Sequence, residues 1–537
     1  MPRRAPSVRE VHAAGPGARR LGLALLAALG TSRIVPAQTH RPSAPATPPH
    51  ARATAHATLG AVHFATSCAP AVRTDFDRGV ALLHSFEFGT AIATFSRVLE
   101  TDSTCAMAQW GIAMSRWTNP MAPGTRSAAA LAPGTAATQH ARDLASHATP
   151  RERAYIDAVA LLYDRADQRD QAMRVADYER AMAALARRFP ADTEAAIFHA
   201  VSLIASAPPT DKTYARQLQA ARALEAIWAR QPDHPGITHY LIHAYDVPAL
   251  AGRARRAAER YAGLAPDAAH ALHMPSHTFT RVGMWEPSIE TNLRSANAAR
   301  ASGATAELLH AYDYAAYAYL QRRQFGPAKA LVDSLPAIAA RFDPNAVTGA
   351  APGSAGVFAL AAIPARYALE RREWQEAAAL VPAPSAFPWT EAMTYFARAL
   401  GAAHRHALDD ARAAIDSLDA IHRRLTSAEP YWAEQVAIQS LGGQAWLALA
   451  EGRNDDAERL MREAADREDA TEKAAVTPGP LAPARELLGD LLLELQEPRE
   501  ALVAYRTALR HEPQRFHATR GARRAAAMIG TKTKQAF

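Results

Sequence analysis

Residues 484–513 read ARELLGDLLLELQEPREALVAYRTALRHEP, and this stretch decides the fold of the chain. Apolar residues recur at helical spacing on both sides of a polar turn at Pro498, which predicts two helices joined by a short connection. Gly489 lies in the first helix, and Ala501 and then Tyr505 follow in the second. This arrangement predicts that two small residues meet where the helices pack, with an aromatic ring behind them.

The same pattern appears near the start of the helical region, where residues 75–102 read DFDRGVALLHSFEFGTAIATFSRVLETD. Gly79, Ala91 and Phe95 repeat the spacing of the glycine, alanine and tyrosine in the later stretch. From residue 71 almost to the end the chain is Ala-rich with helix-period apolar spacing, and no segment alternates long enough to predict a strand. The sequence therefore predicts an all-α protein built from repeated hairpins.

With these features the chain resembles the tetratricopeptide repeat (TPR) family, whose unit is a helix–turn–helix of about 34 residues. The resemblance is strongest over 72–117 and 481–513 and extends to 267–300 and 430–470. The wording CAMAQWGIAMS (105–115) and TPGPLAPARELLGD (477–490) is similar to secreted bacterial TPR proteins. The family implies a right-handed α-solenoid of about ten hairpins over 67–529, with an insertion at 118–150 and a frayed tail at 530–537. It also implies a protein or peptide partner in the concave groove.

Residues 1–66 are expected to lie outside the helical stack. Arg19 and Arg20 precede the short apolar run 21–29, and small residues at Val35 and Ala37 suit cleavage, so 1–37 is predicted to be a signal peptide. Residues 38–66 are rich in Pro, Ala and Thr and are predicted to be a disordered linker. We therefore expect an exported protein, periplasmic or secreted. No later apolar run is long enough to cross a bilayer, so no integral membrane segment is expected after cleavage.

The net charge of +7 does not indicate a nucleic-acid-binding protein. Residues 1–37 alone carry six arginines against one glutamate, so the rest of the chain is nearly balanced. No Lys/Arg run is interleaved with aromatic residues, whereas nucleic acid recognition needs a concentrated basic face. Nucleic acid is therefore excluded as a partner.

The chain has two cysteines, Cys68 and Cys105. In an exported protein such a pair predicts a disulfide, which would tie the first hairpin to the segment before it. The alternative is a pair of separate buried thiols.

Histidines are concentrated in the His-rich units 234–325. Seven of the 21 histidines fall within residues 234–310. His239 and His243 are four positions apart, as are His273 and His277, so each pair shares one face of its helix. Adjacent packed helices lie roughly 8–10 Å apart, so these four imidazoles can converge on a single ion.

The TPR resemblance implies a register for this region, because the first helix of each unit lines the concave face at fixed positions. The residues that this register points into one groove are His239, His243, Asp246, His270, His273, His277, Thr280, Arg281, His310 and Asp313.

Three interpretations of this His-rich groove remain open. It is a hydrogen-bonded lining that binds nothing, a surface for a peptide or carboxylate, or a site for Zn or another transition metal. In the metal interpretation Asp246 and Asp313 serve as ligands or fix the histidine tautomers. We expect an exported scaffold that binds a protein, peptide or small ligand in the groove, and a metalloprotein as the alternative. The chain carries no GxSxG, phosphate-binding glycine loop, CxxC or HExxH, so the sequence assigns no reaction.

Overall fold

The computed structural model describes residues 58–122, 125–426 and 429–535, with main chain only beyond residue 530. The predicted signal peptide 1–37 and the linker up to residue 57 lie outside the described residues. All described residues belong to one compact unit, Pro49–Phe537.

Every regular element in these described ranges is a helix, which confirms the all-α prediction. The α-helices are α1 (Arg73–His84), α2 (Phe88–Thr101), α3 (Ala106–Trp117), α4 (Ala128–Asp143), α5 (Pro150–Leu161), α6 (Gln171–Arg188), α7 (Thr193–Ala205), α8 (Ala215–Trp228), α9 (Pro235–Ala244), α10 (Arg255–Leu264), α11 (Ala269–His273), α12 (Pro275–Arg281), α13 (Trp285–Ser302), α14 (Thr305–Gln321), α15 (Phe325–Ala339), α16 (Gly353–Arg371), α17 (Trp374–Ala378), α18 (Pro388–His404), α19 (Leu408–Leu425), α20 (Pro430–Ala450), α21 (Asn454–Asp469), α22 (Ala484–Glu494), α23 (Pro498–His511) and α24 (Phe516–Gln535). Within the described part of the chain, each helix is too short or too polar to span a lipid bilayer.

Glycines and aromatic rings hold neighbouring hairpins together. The ring of Phe95 in α2 lies so close to Gly79 and Gly111 that an added Cβ would come within 2.7 Å of it at Gly79 and 2.5 Å at Gly111. Tyr505 fills the same role between Gly489 and the final helix α24. The spacing read from the sequence is therefore a packing rule, because the aromatic ring occupies the volume that each missing side chain leaves free.

The predicted insertion at 118–150 is corrected by the structure. Residues 128–143 form α4, which packs on α3 as the second helix of an ordinary hairpin. Ser127 accepts a hydrogen bond from the Ala130 N–H and caps the helix start. The Ala-rich sequence supports the helix although Pro133 lies inside it. Proline is rare inside helices, which is why this segment was predicted to be mostly loop.

Residues 58–66, assigned to the linker, instead pack on the helices. Leu59, Val62 and Phe64 are buried, and the Phe64 ring lies 5.3 Å from Trp110 and 5.2 Å from Tyr155 between centroids. Burial of these apolar side chains outweighs the cost of ordering the segment.

The two cysteines form a disulfide that ties this N-terminal region to the hairpin stack. Cys68 lies just before α1, and Cys105 is the residue that precedes α3. The bond joins positions 37 residues apart.

Residues 470–483, which we call the closing segment, run across the inner side of the stack. Ala474, Val476 and Leu481 of this segment are buried. Tyr314 of α14 donates to the carbonyl of Thr477 at 3.0 Å, and Arg366 of α16 donates to the carbonyl of Pro480 at 2.7 Å. These side chains satisfy carbonyls that have no helix to pair with, so an irregular segment is stable in the interior.

Candidate metal centre

Four helices bring six histidines together. His239 and His243 lie on α9, His270 and His273 on α11, His277 on α12, and His310 on α14. Pro275 begins α12 and interrupts the helix between His273 and His277, but these two rings still approach each other. Helix α12 contacts both α9 and α14, so the three helices present their histidines to a common interior.

The first triplet comprises His239, His243 and His270. The Nε2 atom of His239 lies 3.2 Å from Nε2 of His243 and 3.1 Å from Nε2 of His270. One ligand atom from each residue falls within 4.8 Å of the other two. The three rings therefore point their nitrogens into one small volume.

The second triplet comprises His273, His277 and His310. The Nε2 atoms of His273 and His277 are 3.1 Å apart, and the ring centroids of His273 and His310 are 4.3 Å apart. This group also offers one nitrogen from each ring within 4.8 Å of the others. The two triplets are adjacent, since the centroids of His243 and His277 are separated by 5.8 Å.

Hydrogen bonds fix the tautomers in the first triplet. Nδ1 of His239 is 2.7 Å from the carbonyl oxygen of His84, and Nδ1 of His270 is 3.1 Å from Oε1 of Glu307. Both oxygens accept, so both Nδ1 atoms carry hydrogen, and the neutral form of each ring has a bare Nε2. When both rings are neutral, the short contact between these Nε2 atoms joins two lone pairs and is not a hydrogen bond.

The second triplet repeats this arrangement with other partners. His277 donates from Nδ1 to Oδ2 of Asp246 at 2.8 Å, and His273 donates from Nδ1 to Oδ1 of Asn292 at 2.7 Å. The amide nitrogen of Asn292 donates to the carbonyl of Ser288, which orients its oxygen towards His273. Again two bare Nε2 atoms face each other.

Burial favours the neutral form of His239, His273 and His310. His239 and His273 are fully buried, and burial lowers the pKa of each well below its usual value, with the neighbouring histidines lowering it further. Burial lowers the pKa of His310 to about 3, although Glu307 acts in the opposite direction. Protonation therefore cannot easily relieve the contacts between lone pairs.

The carboxylates that accept from the triplets remain ionised. Burial alone would raise the pKa of Asp246, but Lys473, Arg281 and His277 outweigh burial and hold it well below its usual value. The same competition lowers the pKa of Glu307, where His270 is the main opposing group. Carboxylates and carbonyls behind the rings are the usual partners of metal-bound histidine.

The nitrogen spacing fits a chelated transition metal. Two nitrogens that each lie about 2.0–2.1 Å from a tetrahedral ion are about 3.3 Å apart. The observed Nε2 separations of 3.1 and 3.2 Å are close to this value. A cation between the rings would turn the repulsive contacts into coordination bonds.

The structure groups the histidines in threes. The spacing allowed the two i, i+4 pairs to converge on one ion; in the structure each pair is joined by a third histidine, His270 for the α9 pair and His310 for the other. His270 lies one turn before His273, and its ring turns towards α9.

The predicted groove is an interior rather than an open surface. His239, His270, His273, His277 and His310 are each at most 5% exposed. These five side chains are therefore reached only through the groups that cover them.

The remaining predicted residues have other partners. Arg281 donates from Nε to Asp246 at 2.9 Å and so supports the second triplet indirectly. Thr280 shares a hydrogen bond with Ser288. Asp313 faces Arg366 of α16 at 3.5 Å, so its predicted role as a ligand or tautomer-fixing acceptor is not supported.

Several supporting residues were missed because their contacts are remote in sequence. Glu194 lies 2.9 Å from Nε2 of both His84 and His234, forming a buried cluster beside the first triplet. The carboxylate of Glu194 accepts a hydrogen bond from each ring, so the nitrogens that point into this cluster already have a partner. The role of Glu307 could have been predicted from one feature of the sequence: it precedes His310 by three positions and therefore shares a face of the same helix.

A large cavity adjoins the first triplet. Its volume is about 1030 Å³, and His243, Asp246 and Lys473 form part of its wall. Phe86 also lines it, with its ring centroid 4.4 Å from that of His239 and 5.6 Å from that of His270. A molecule in this cavity would meet the histidine centre at His243.

Comparisons with known proteins give likenesses of fold only. No family model matches the chain, and no curated protein matches it. Among solved structures, it is similar to the Cut9–Hcn1 hetero-tetramer of APC/C, with 12% identity and a TM-score of 0.37 over 84% of this chain and 76% of that one. It is also similar to a human IFIT1 dimer with m7Gppp-AAAA, with 12% identity and a TM-score of 0.37 over 75% of this chain and 90% of that one. The TPR domain of P58(IPK) is 11% identical, with a TM-score of 0.21 over 86% of this chain and 99% of that one. By its hairpin packing the chain is similar to tetratricopeptide-repeat proteins, and the likeness concerns the fold alone.

Proposed function

We propose that this protein binds two transition-metal ions, one in each histidine triplet. One observation carries the proposal: within each triplet, two Nε2 atoms face each other at 3.1 Å while the Nδ1 atoms of the same two rings donate to fixed acceptors. A packing role for these histidines would leave the lone pairs opposed, and burial disfavours the proton that could bridge them. A cation of borderline softness removes this conflict.

The donor set favours zinc or copper. Neutral imidazole suits both ions, and the affinity order of divalent metals peaks at copper. Three protein ligands leave a coordination position for water or substrate, which is typical of catalytic rather than structural sites. The hairpin stack therefore acts as a rigid frame for a metalloprotein, and the open positions make metal-assisted catalysis the fitting class of activity.

Metal analysis of tag-free protein tests the proposal. We expect about two ions per chain in the wild type, and about one in each of the double variants His239→Ala/His243→Ala and His273→Ala/His277→Ala. Helix content, measured by circular dichroism, should be retained in both. The control is His199→Ala, whose ring pairs with Glu179 away from the triplets. Wild-type protein that takes up neither zinc nor copper at micromolar concentrations would refute the proposal.

We also propose that the chain is exported. The disulfide between Cys68 and Cys105 supports this, because such bonds persist in oxidising compartments. N-terminal sequencing of protein from a periplasmic extract should begin at Gln38. A mature protein that retains residues 1–37 would contradict the proposal.

A further inference from the structure

Two arginines on the wall of the large cavity have no carboxylate partner among the residues that the structure describes. Arg126 donates from Nε to the carbonyl of Trp117 and from Nη2 to that of Asn119, both at 2.8 Å. Arg174 donates to the carbonyls of Leu162 and Arg169. Neither guanidinium forms an ion pair with a carboxylate in the described part of the chain.

The two charges lie on the same aromatic ring, Arg174 buried and Arg126 partly exposed. Arg174 is 1% exposed, and both guanidinium groups lie over the ring of Trp117, at 4.3 Å for Arg126 and 5.7 Å for Arg174. Burial, with a smaller contribution from the neighbouring Arg174, lowers the pKa of Arg126 to about 10. Two like charges held together away from water are costly unless an anion joins them.

The hydrogen bonds leave donors for such an anion. Within the described residues, Nη1 of Arg126 and Nη2 of Arg174 have no protein acceptor, and both side chains line the cavity. Backbone carbonyls hold the other nitrogens and fix the direction of each group. Guanidinium groups held in this way suit the planar oxygens of a carboxylate.

The acidic residues of the same wall do not satisfy these arginines. Asp246 pairs with Arg281 and Lys473, and Glu472 pairs with Lys212. Asp167 and Asp170 also belong to the wall, and both are exposed. Glu429, the remaining acidic residue of the wall, accepts from the Thr125 N–H at 3.2 Å and forms no ion pair with either arginine among the described residues.

Part of the wall is apolar and aromatic. Phe86, Phe88, Met114, Tyr178 and Phe198 line it. A volume of about 1030 Å³ exceeds the need of a bare ion and matches a drug-sized molecule. The lining therefore selects a ligand with one charged end and an apolar body.

We propose that the cavity binds an organic carboxylate, with its charged end at Arg126 and Arg174 and its apolar body extending towards the first triplet. This rests on the proposed function in one respect: the ligand is the substrate, or a substrate-like molecule, of the metal held by His239, His243 and His270. The arginine subsite stands on its own contacts.

Binding of phenylacetate, measured by calorimetry on the full chain, tests the subsite. We expect phenylacetate to bind at least tenfold more tightly than phenylacetamide, which differs only in the charge. Arg126→Gln and Arg174→Gln should each weaken phenylacetate at least tenfold. Arg126 is partly exposed, so its variant should fold even if loss of the Arg174 contacts proves disruptive. Equal binding of acid and amide, or full binding by Arg126→Gln, overturns the inference.

Two further arms sharpen the result. Arg216 lines the same cavity but already contacts Ser206 and Glu179, so Arg216→Gln should change affinity less than threefold. Phenyl phosphate reports whether the subsite prefers a phosphate. Tenfold tighter binding of phenyl phosphate than of phenylacetate would overturn the assignment to a carboxylate.

Proximity to the metal separates this inference from the proposed function. Copper(II)-loaded protein should accelerate the proton relaxation of bound phenylacetate, whereas zinc-loaded protein should not. If metal loads as proposed but binding does not depend on the arginines, only the inference fails. If no metal binds while the arginines still govern phenylacetate, the proposed function fails and the anion subsite remains.

Discussion

Replacement of Glu307 by glutamine should weaken metal binding at the first triplet alone. Glu307 is 1% exposed on α14, its Oε1 accepts from Nδ1 of His270 at 3.1 Å, and its Oε2 accepts from the Ala351 N–H at 2.8 Å. Both neighbours are donors, so the site needs two acceptors. Glutamine has the same shape but offers one oxygen and one amide, and its amide must face one of the two donors.

The size of the effect follows from these bonds. Loss of a partner behind a metal-bound histidine typically costs 10–100-fold in metal affinity, or about 1.4–2.8 kcal/mol. A buried donor left without an acceptor costs the metal-free protein about 1–3 kcal/mol in the free energy of unfolding. Glu307→Gln should therefore lower both quantities without changing the packing.

Competition with a chromogenic chelator measures the two sites in one titration. We expect Glu307→Gln to lower one of the two affinities by 10–100-fold and to leave the other within threefold. Asp246→Asn is the reciprocal variant, because Asp246 accepts from His277 in the second triplet and from Arg281. The surface change Glu225→Gln, at a carboxylate that accepts from Tyr245, should alter neither site. Equal weakening of both sites by Glu307→Gln, or wild-type affinity at both, would refute the assignment of partners to triplets.

Three other predictions concern the frame. Cys68→Ser/Cys105→Ser should lower the free energy of unfolding by about 4 kcal/mol in urea titrations, since the bond closes a loop across 37 residues; an unchanged midpoint would contradict this. Gly111→Ala should cost about 1–3 kcal/mol, because the new Cβ meets the Phe95 ring, whereas Gly326→Ala, with open space around it in α15, should gain about 0.5–1 kcal/mol; equal effects would remove the packing argument. Burial raises the pKa of Glu468 to about 8, so its contribution to stability is greatest below pH 4.5 and is lost as pH rises through 8. Melting curves of Glu468→Gln should therefore match the wild type near pH 4.5 and lie above it at pH 9, and the opposite trend would show that this carboxyl is not held neutral by burial.

The sequence predicted the helices that carry the histidines, because periodicity and i, i+4 spacing are local properties. His239 and His243 share a face of α9 as expected, whereas His273 and His277 lie on two successive helices and still approach each other. The grouping into triplets depends on how tightly the stack curls. The sequence does not state that curvature, so His270 and His310 were placed near the pairs without being recognised as their third members.

The acceptors behind the rings illustrate a second limit. The carbonyl of His84 reaches His239 across 155 positions, and a backbone oxygen leaves no mark in a sequence. Asn292 is 19 positions from His273 and reads as an ordinary polar residue of α13. Asp313 is of the residue type expected of an acceptor, but it faces Arg366 of α16 instead. The position of α16 beside α14 depends on tertiary packing, which the local sequence pattern does not specify.

Curling of the stack also explains why a repeat protein can hide a metal centre. A straight row of hairpins would leave its inner face open to water, and histidines there would titrate normally. In this chain α1 contacts α9, and the closing segment brings Lys473 to within 3.3 Å of Asp246. Asp246 thus joins the closing segment to His277 and Arg281 through one carboxylate. Metal binding at the second triplet should consequently order residues 470–483 as well, because coordination of His277 fixes Asp246, and Asp246 holds Lys473. Hydrogen exchange in that segment should slow when metal is added and should not respond to metal in Asp246→Asn; a closing segment that exchanges equally fast with and without metal would show that the centre and its cover are independent.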